Sequence, residues 1–237
     1  MARKGRAARL TERVAFRPPS GRSLDEASLR DEGLAAPEKK TGRILLIGCG
    51  ALAREILDIK EKNGLDHMDL TCLPAKLHLY PDQIAQAVEG AVLKHRSVYD
   101  QIYVVYADCG TGGQLERACA DLGVEMVPGP HCYAFFEGND TFAQHTKDGE
   151  ITAFYLTDFL VKQFDAFVWR PMGLDKHPEL RDLIFGNYTK LVYQSQIKDP
   201  ALLEKAQACA ARMGLAFEHR HTGYGDLEIS LTRWAAD

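Results

Sequence analysis

The sequence predicts an α/β fold, a mainly parallel sheet covered by helices on both faces. Three observations carry this. Short β-rich apolar runs end in glycine or proline turns, apolar residues at helical spacing follow the turns, and this strand-helix order recurs with no linker inside it. At 46% apolar over 237 residues, the chain can bury one sizeable core or two small ones.

The domain opens at Gly42. Arg43 to Ile47 reads as a strand ending in Gly48-Cys49-Gly50, after which Leu52, Ile56 and Ile59 lie on one helical face. Asp69 to Cys72 ends a second strand, stopped by Leu73-Pro74, and Pro81 opens a helix through Ile84, Val88 and Val92. The grammar returns at Ile102 to Tyr106, then Asp108-Cys109-Gly110-Thr111-Gly112-Gly113 and a helix with Leu115, Ala118 and Leu122. A short strand near Glu125 to Val127 leads into the constrained loop Pro128-Gly129-Pro130-His131-Cys132. Further on, Ile151 to Leu156 and Ala166 to Trp169 read as strands around a short helix capped by Thr157 or Asp158. Leu191 to Tyr193 and Ala216 to His219 flank a helix with an Asp199-Pro200 start and a Gly214 stop. Tyr224-Gly225-Asp226 reads as a hairpin or terminal turn.

Ahead of this, the first forty residues carry ten Lys/Arg against six Asp/Glu, and Pro18-Pro19 excludes a long helix there. Residues 1–41 are therefore expected to be a disordered basic tail, and 42–237 a single domain. The acidic remainder, within an overall charge of −4, argues against nucleic-acid binding. No apolar run approaches the roughly 18 residues of a membrane span. Six widely spaced cysteines without a signal peptide point to reduced thiols in the cytoplasm.

Four of the cysteines share a setting. Cys49, Cys72, Cys109 and Cys132 each follow a predicted strand, whereas Cys119 and Cys209 fall on apolar helix faces. Ligands of parallel sheets bind beyond the carboxyl ends of the strands, so four thiols are aimed at one rim. Cys49 to Cys72 and Cys109 to Cys132 are both 23 residues apart, which suggests two related βαβ halves. Thiolates suit zinc, copper(I) or an iron-sulfur cluster, and zinc also accepts imidazole, which His131 or His78 can supply. No C-x-x-C or other local chelate exists, so the fold must gather the ligands; buried strand-end cysteines packed as small apolar residues are the alternative.

Other residues bear on chemistry. Gly48-x-Gly50-x-x-Ala53 satisfies a dinucleotide fingerprint but lacks the acid that would close the second strand. Gly110, Gly112 and Gly113 form a second candidate anion cradle without the lysine of a P-loop. His131, Asp158 and His177 are candidate acid-base groups, Arg170 a candidate carboxylate or phosphate clamp, and His219 and His221 share a strand face.

Several motifs together resemble one microbial family, catalogued as domain of unknown function 1638. They are Gly48 to Glu55, Leu70-Thr71-Cys72-Leu73-Pro74, Tyr106 to Gly113, Gly129-Pro130-His131-Cys132-Tyr133 and Thr157-Asp158-Phe159, with Gly173-Leu174-Asp175, His177-Pro178-Glu179-Leu180, Gly186-Asn187-Tyr188 and Thr222-Gly223-Tyr224-Gly225 beyond. The resemblance implies an association with corrinoid-dependent methyl-transfer systems, hence a corrinoid-protein or methyltransferase partner.

The resulting expectation is a thiolate-metal protein, with zinc as the metal, serving one-carbon or methyl-transfer metabolism. Cys49, Cys109 and Cys132 are its main ligands, completed by Cys72 or His131. An iron-sulfur accessory protein and a nucleotide- or S-adenosylmethionine-binding enzyme are the alternatives.

Overall fold

The computed structural model of the protein describes residues 24–40 and 42–236. Among them, every strand pairing within the sheets is parallel, and the strands form two sheets rather than the single one expected. Helix α1 (Glu26–Asp31) comes first. The first sheet then follows as β1 (Ile44–Cys49), α2 (Ala53–Lys62), β2 (Met68–Leu73), α3 (Ile84–His95), β3 (Gln101–Val105), α4 (Gln114–Leu122) and β4 (Glu125–Met126). Two helices, α5 (Cys132–Glu137) and α6 (Asn139–Lys147), lead to the second: β5 (Ala153–Leu156), α7 (Asp158–Lys162), α8 (Arg181–Phe185), β6 (Lys190–Ser195), α9 (Pro200–Met213) and β7 (Ala216–His221). Helix α10 (Gly225–Trp234) closes the chain.

The first sheet has the order β2-β1-β3-β4. Its two βαβ units, β1-α2-β2 and β3-α4-β4, lie side by side, as the 23-residue echo suggests. Parallel crossovers are right-handed, so reversing the direction of travel after β2 puts α2 on one face and α3 and α4 on the other. Accordingly α3 packs on α4, and α10 joins α2. With both faces covered, all six residues of β1 are buried, which its unbroken apolar run requires. The reversal also creates a switch point between the ends of β1 and β3, the place where an open α/β sheet leaves a crevice for ligands.

The second sheet, β5-β6-β7, has its own core around Leu191, Tyr193, Leu202, Ala206 and Met213. The signals at the ends of α9 act as expected: the Asp199 carboxylate accepts from Ala201 and Leu202 N–H groups, and Gly214 takes a left-handed φ of 76°. Thr157 caps α7 by accepting from Leu160 N–H. From this half α10 returns to the first core, where Leu227, Leu231 and Trp234 are buried and the Trp234 indole stacks on Tyr103 at 4.6 Å.

Three local expectations are corrected. Residues 165–169 form a π-helix, since a short apolar run such as Phe167-Val168-Trp169 buries equally well as strand or helix. Tyr224-Gly225-Asp226 starts α10 instead of ending the chain in a turn. The folded region also begins earlier than Gly42. Asp25 caps α1, Leu29 is 2% exposed, and Leu34 pairs its backbone with Cys72. Residues 1–23 of the expected tail lie outside the described residues. Among the described residues no helix is long and apolar enough to cross a membrane.

Candidate thiol centre at the switch point

The switch point is where two of the strand-end cysteines meet. β1 ends at Cys49, and beyond β3 the chain runs Tyr106-Ala107-Asp108-Cys109 alongside the loop that precedes α5. Asp108 N–H donates to the Gly129 carbonyl and Cys109 N–H to that of Pro130, both at 3.0 Å. This short parallel clasp carries Cys132 to Cys109, and their Sγ atoms stand 3.7 Å apart.

Cys109 has a φ of 51°, the only positive value at a non-glycine position among the described residues. That conformation costs an L-residue roughly 1–2 kcal/mol and persists only where its surroundings fix it. Asp108 does the fixing. Its carboxylate accepts from the Thr111 hydroxyl and from the N–H groups of Gly112 and Gly113, at 3.2 and 2.8 Å. Gly110, Gly112 and Gly113 all have positive φ, as the loop requires. The anion in this cradle is thus the chain's own Asp108, which already engages the amides of Gly112 and Gly113.

The glycine turn after β1 is also filled from within. A side-chain carbon at Gly50 would come 2.3 Å from the Leu29 carbonyl oxygen, and one at Gly48 would meet Ile56 and approach Cys72 Sγ to 3.4 Å. Gly50 therefore admits the backbone of α1, and Gly48 admits α2 and the Cys72 thiol. Both glycines serve close packing, and α1 covers the turn on which the dinucleotide reading rested.

Cys49 and Cys72 are 5% and 4% exposed. Burial pushes the Cys49 thiol up to about 12 and raises Cys72 as well, so both are neutral thiols in the absence of a metal. Cys49 in turn faces the Cys109 and Cys132 pair, while Cys72 lies beside Cys49 on the far side. Tyr106, 1% exposed, directs its hydroxyl toward Cys49 without forming a hydrogen bond of normal geometry to any protein group. A buried hydroxyl without a partner marks a place where a further ligand or ordered water fits.

The pair itself divides one proton unequally. Cys109 is lowered well below an ordinary thiol, first by the Cys132 S–H donating to it and then, against its burial, by the imidazoles of His78 and His131. Cys132 is raised by the same neighbour. The charge therefore sits on Cys109 and the proton on Cys132. His131 is half-buried, stacks on Tyr133 at 4.7 Å, and is itself lowered by burial; His78 is exposed. The centre opens to solvent on this imidazole side.

The other expected residues lie elsewhere. Cys119 and Cys209 are buried on helix faces, as their spacing implies. Asp158, 2% exposed, ties together the ends of β5 and β6: its carboxylate accepts from Tyr193 O–H at 2.6 Å and Ile197 N–H at 3.0 Å. His177 is exposed and pairs with Glu179 at 3.1 Å. His219 and His221 do share a face, and both ring nitrogens reach the Ser195 hydroxyl, at 2.9 and 3.0 Å. Two residues near the thiols escape a reading by residue type. Tyr106 looked like strand core, and Glu55 like a polar helix position, yet Glu55 is 6% exposed, one of its oxygens has no partner, and burial raises its carboxyl to about 7. Among the described residues no three His, Cys, Asp or Glu side chains are grouped so that they could hold one metal ion.

Fold and site together define a parallel α/β protein with a thiol cluster at the switch point of its first sheet. The chain belongs to the family described as Protein of unknown function (DUF1638), whose model matches residues 72–231. The matched span contains Cys72, Cys109, Cys132, Asp158 and His177, and Cys49 precedes it. No curated protein matches the chain.

Proposed function

We propose that the protein is a thiolate-metal protein, zinc in the first instance, in which Cys109 and Cys132 are the primary ligands. The supporting observation is their separation. Two thiolates bound to one tetrahedral zinc at about 2.3 Å lie roughly 3.8 Å apart, close to the 3.7 Å between these sulfurs. A disulfide would need about 2.05 Å, so the spacing suits a shared cation better than a covalent bond.

Cys49 neighbours the pair from β1, and His78 and His131 neighbour Cys109, so these three are the candidate third and fourth ligands and would have to close on the metal as it binds. The Tyr106 hydroxyl supplies a donor toward the Cys49 sulfur once that sulfur is a thiolate. A metal held by three of these groups with one position open would lower the pKa of a bound thiol or water. His131 and His78 would then take up the released proton at the solvent side. The placement in one-carbon or corrinoid-linked methyl-transfer metabolism, with a corrinoid protein or methyltransferase as partner, rests on the family's association with such systems.

A second reading, an iron-sulfur accessory protein, is favoured by the Cys49 thiol lying next to the pair, with Cys72 beside Cys49 beyond it. Anaerobic purification with elemental analysis and a visible spectrum separates the two. The zinc reading expects a colourless protein with one zinc per chain, lost in Cys132→Ala. A brown protein bleached by dithionite would establish the cluster, and a metal-free protein would defeat both.

A further inference from the structure

A second feature, independent of the thiol centre, is a cleft of about 300 Å³ between α1, the start of the π-helix and α9. Five cationic side chains line it: Arg30, Lys162, Arg170, Lys205 and Arg212. Among the described residues of its wall, Asp165 is the sole acid. This concentration runs against the overall charge of −4.

The cations come from separate elements and are held in place. Arg212 is pinned by Asp165 at 2.6 Å, and its guanidinium carbon sits over the Trp169 ring, 3.9 Å from the centroid. Lys205 donates to the Lys162 carbonyl at 2.8 Å, a contact that orients the ammonium without neutralising it. Arg30 is forked by its neighbour Asp31, at 3.1 and 2.6 Å, and Lys162 is only loosely paired with Glu26, at 3.8 Å, so the uncompensated charge of the cleft sits on Arg170 and Lys205. Arg170 and Lys205 have no carboxylate partner among the described residues. A fold does not gather like charges without cost, since each raises the energy of its neighbours.

We propose that this cleft is a binding site for a compact phosphate-bearing anion with at least two negative charges. The volume fits a pyrophosphate or a small phosphorylated metabolite. Planar guanidinium forks bind phosphate oxygens in pairs, and Phe164, Ala166 and Ala208 give the cleft an apolar floor between its cations. Binding also has a mechanical consequence. Arg30 follows Leu29, whose carbonyl packs on Gly50 beside the thiols, so an anion that joins Arg30 to Lys162 and Arg170 holds α1 down over the thiol centre.

Isothermal titration of the full chain with inorganic pyrophosphate tests this, with citrate as a non-phosphate anion of similar charge. Saturable pyrophosphate binding is expected, weakening with added salt, and falling roughly tenfold in Arg170→Ala and again in Lys205→Ala. Both side chains are exposed, so the melting temperature should stay unchanged in Arg170→Ala and fall only slightly in Lys205→Ala, which also loses its exposed bond to the Lys162 carbonyl. Pyrophosphate should also slow amide exchange in residues 29–33. Absence of saturable binding, equal affinity for citrate, or binding indifferent to both substitutions would each overturn the proposal.

Discussion

Replacing Cys109 by glycine and, separately, by alanine isolates the backbone strain on which the thiol centre is built. Both substitutions delete the sulfur, so loss of its contacts and of any bound metal cancels between them. What differs is the left-handed φ of 51°. Alanine retains the roughly 1–2 kcal/mol penalty of that conformation, whereas glycine escapes it. Against this, glycine gives the unfolded chain extra freedom, worth about 0.4–1 kcal/mol. The difference leaves Cys109→Gly more stable than Cys109→Ala by about 0.5–1 kcal/mol. For a urea slope of about 2 kcal/mol/M, that is a midpoint shift of roughly 0.3–0.5 M at unchanged slope. Urea unfolding followed by far-ultraviolet circular dichroism measures it. If alanine proved equal to or more stable than glycine, Cys109 would not hold this conformation in solution, and the clasp that aims it at Cys132 would be wrong.

Asp108→Ala removes the three hydrogen bonds that fix the loop and should cost about 1–2 kcal/mol after discounting for partial exposure, read as a lower melting temperature. Glu150 and Glu218 are buried enough to be raised, but hydrogen bonds from Lys190 and Arg220 carry both below the usual range. Depressed carboxylates stabilise above their unfolded pKa, so thermal stability should fall as pH drops from about 5 toward 3, and less steeply in Arg220→Gln. Trp234→Ala empties a fully buried site and removes the stack on Tyr103, for an expected loss of roughly 3–5 kcal/mol in chemical denaturation. In metal-free protein near pH 7, iodoacetamide should label Cys109 first and spare Cys49 and Cys72, as peptide mass mapping would show; equal labelling would refute the assigned thiolate.

The legible parts of the sequence were those where one local signal decides. Asp199-Pro200 and Gly214 bound α9 because caps act within a turn, and the cysteine positions followed from strand ends marked by glycine or proline. The division into two sheets was not legible, because nothing in the alternation of strands and helices says which strands pair. Helix α1 was hidden in a charged segment where only Leu29 is buried, and it reaches its place through the long-range bridge from Leu34 to Cys72. The glycine loops looked like anion cradles because a sequence records only the need for glycine, which is close packing at Gly48 and Gly50 and positive φ at Gly110, Gly112 and Gly113. The ligand that fills the second one, the Asp108 carboxylate, is visible only in the fold. Tyr106 and Glu55 were missed for a related reason: their burial without partners is a tertiary fact.

The central claim is that Cys109 and Cys132 share one metal ion. X-ray absorption at the metal edge of the anaerobically purified protein tests it most directly. At least two sulfur scatterers are expected at about 2.3 Å, with both lost in the Cys109→Gly, Cys132→Ala double variant. A shell of nitrogen and oxygen alone, or a sulfur shell unchanged by those substitutions, would contradict it.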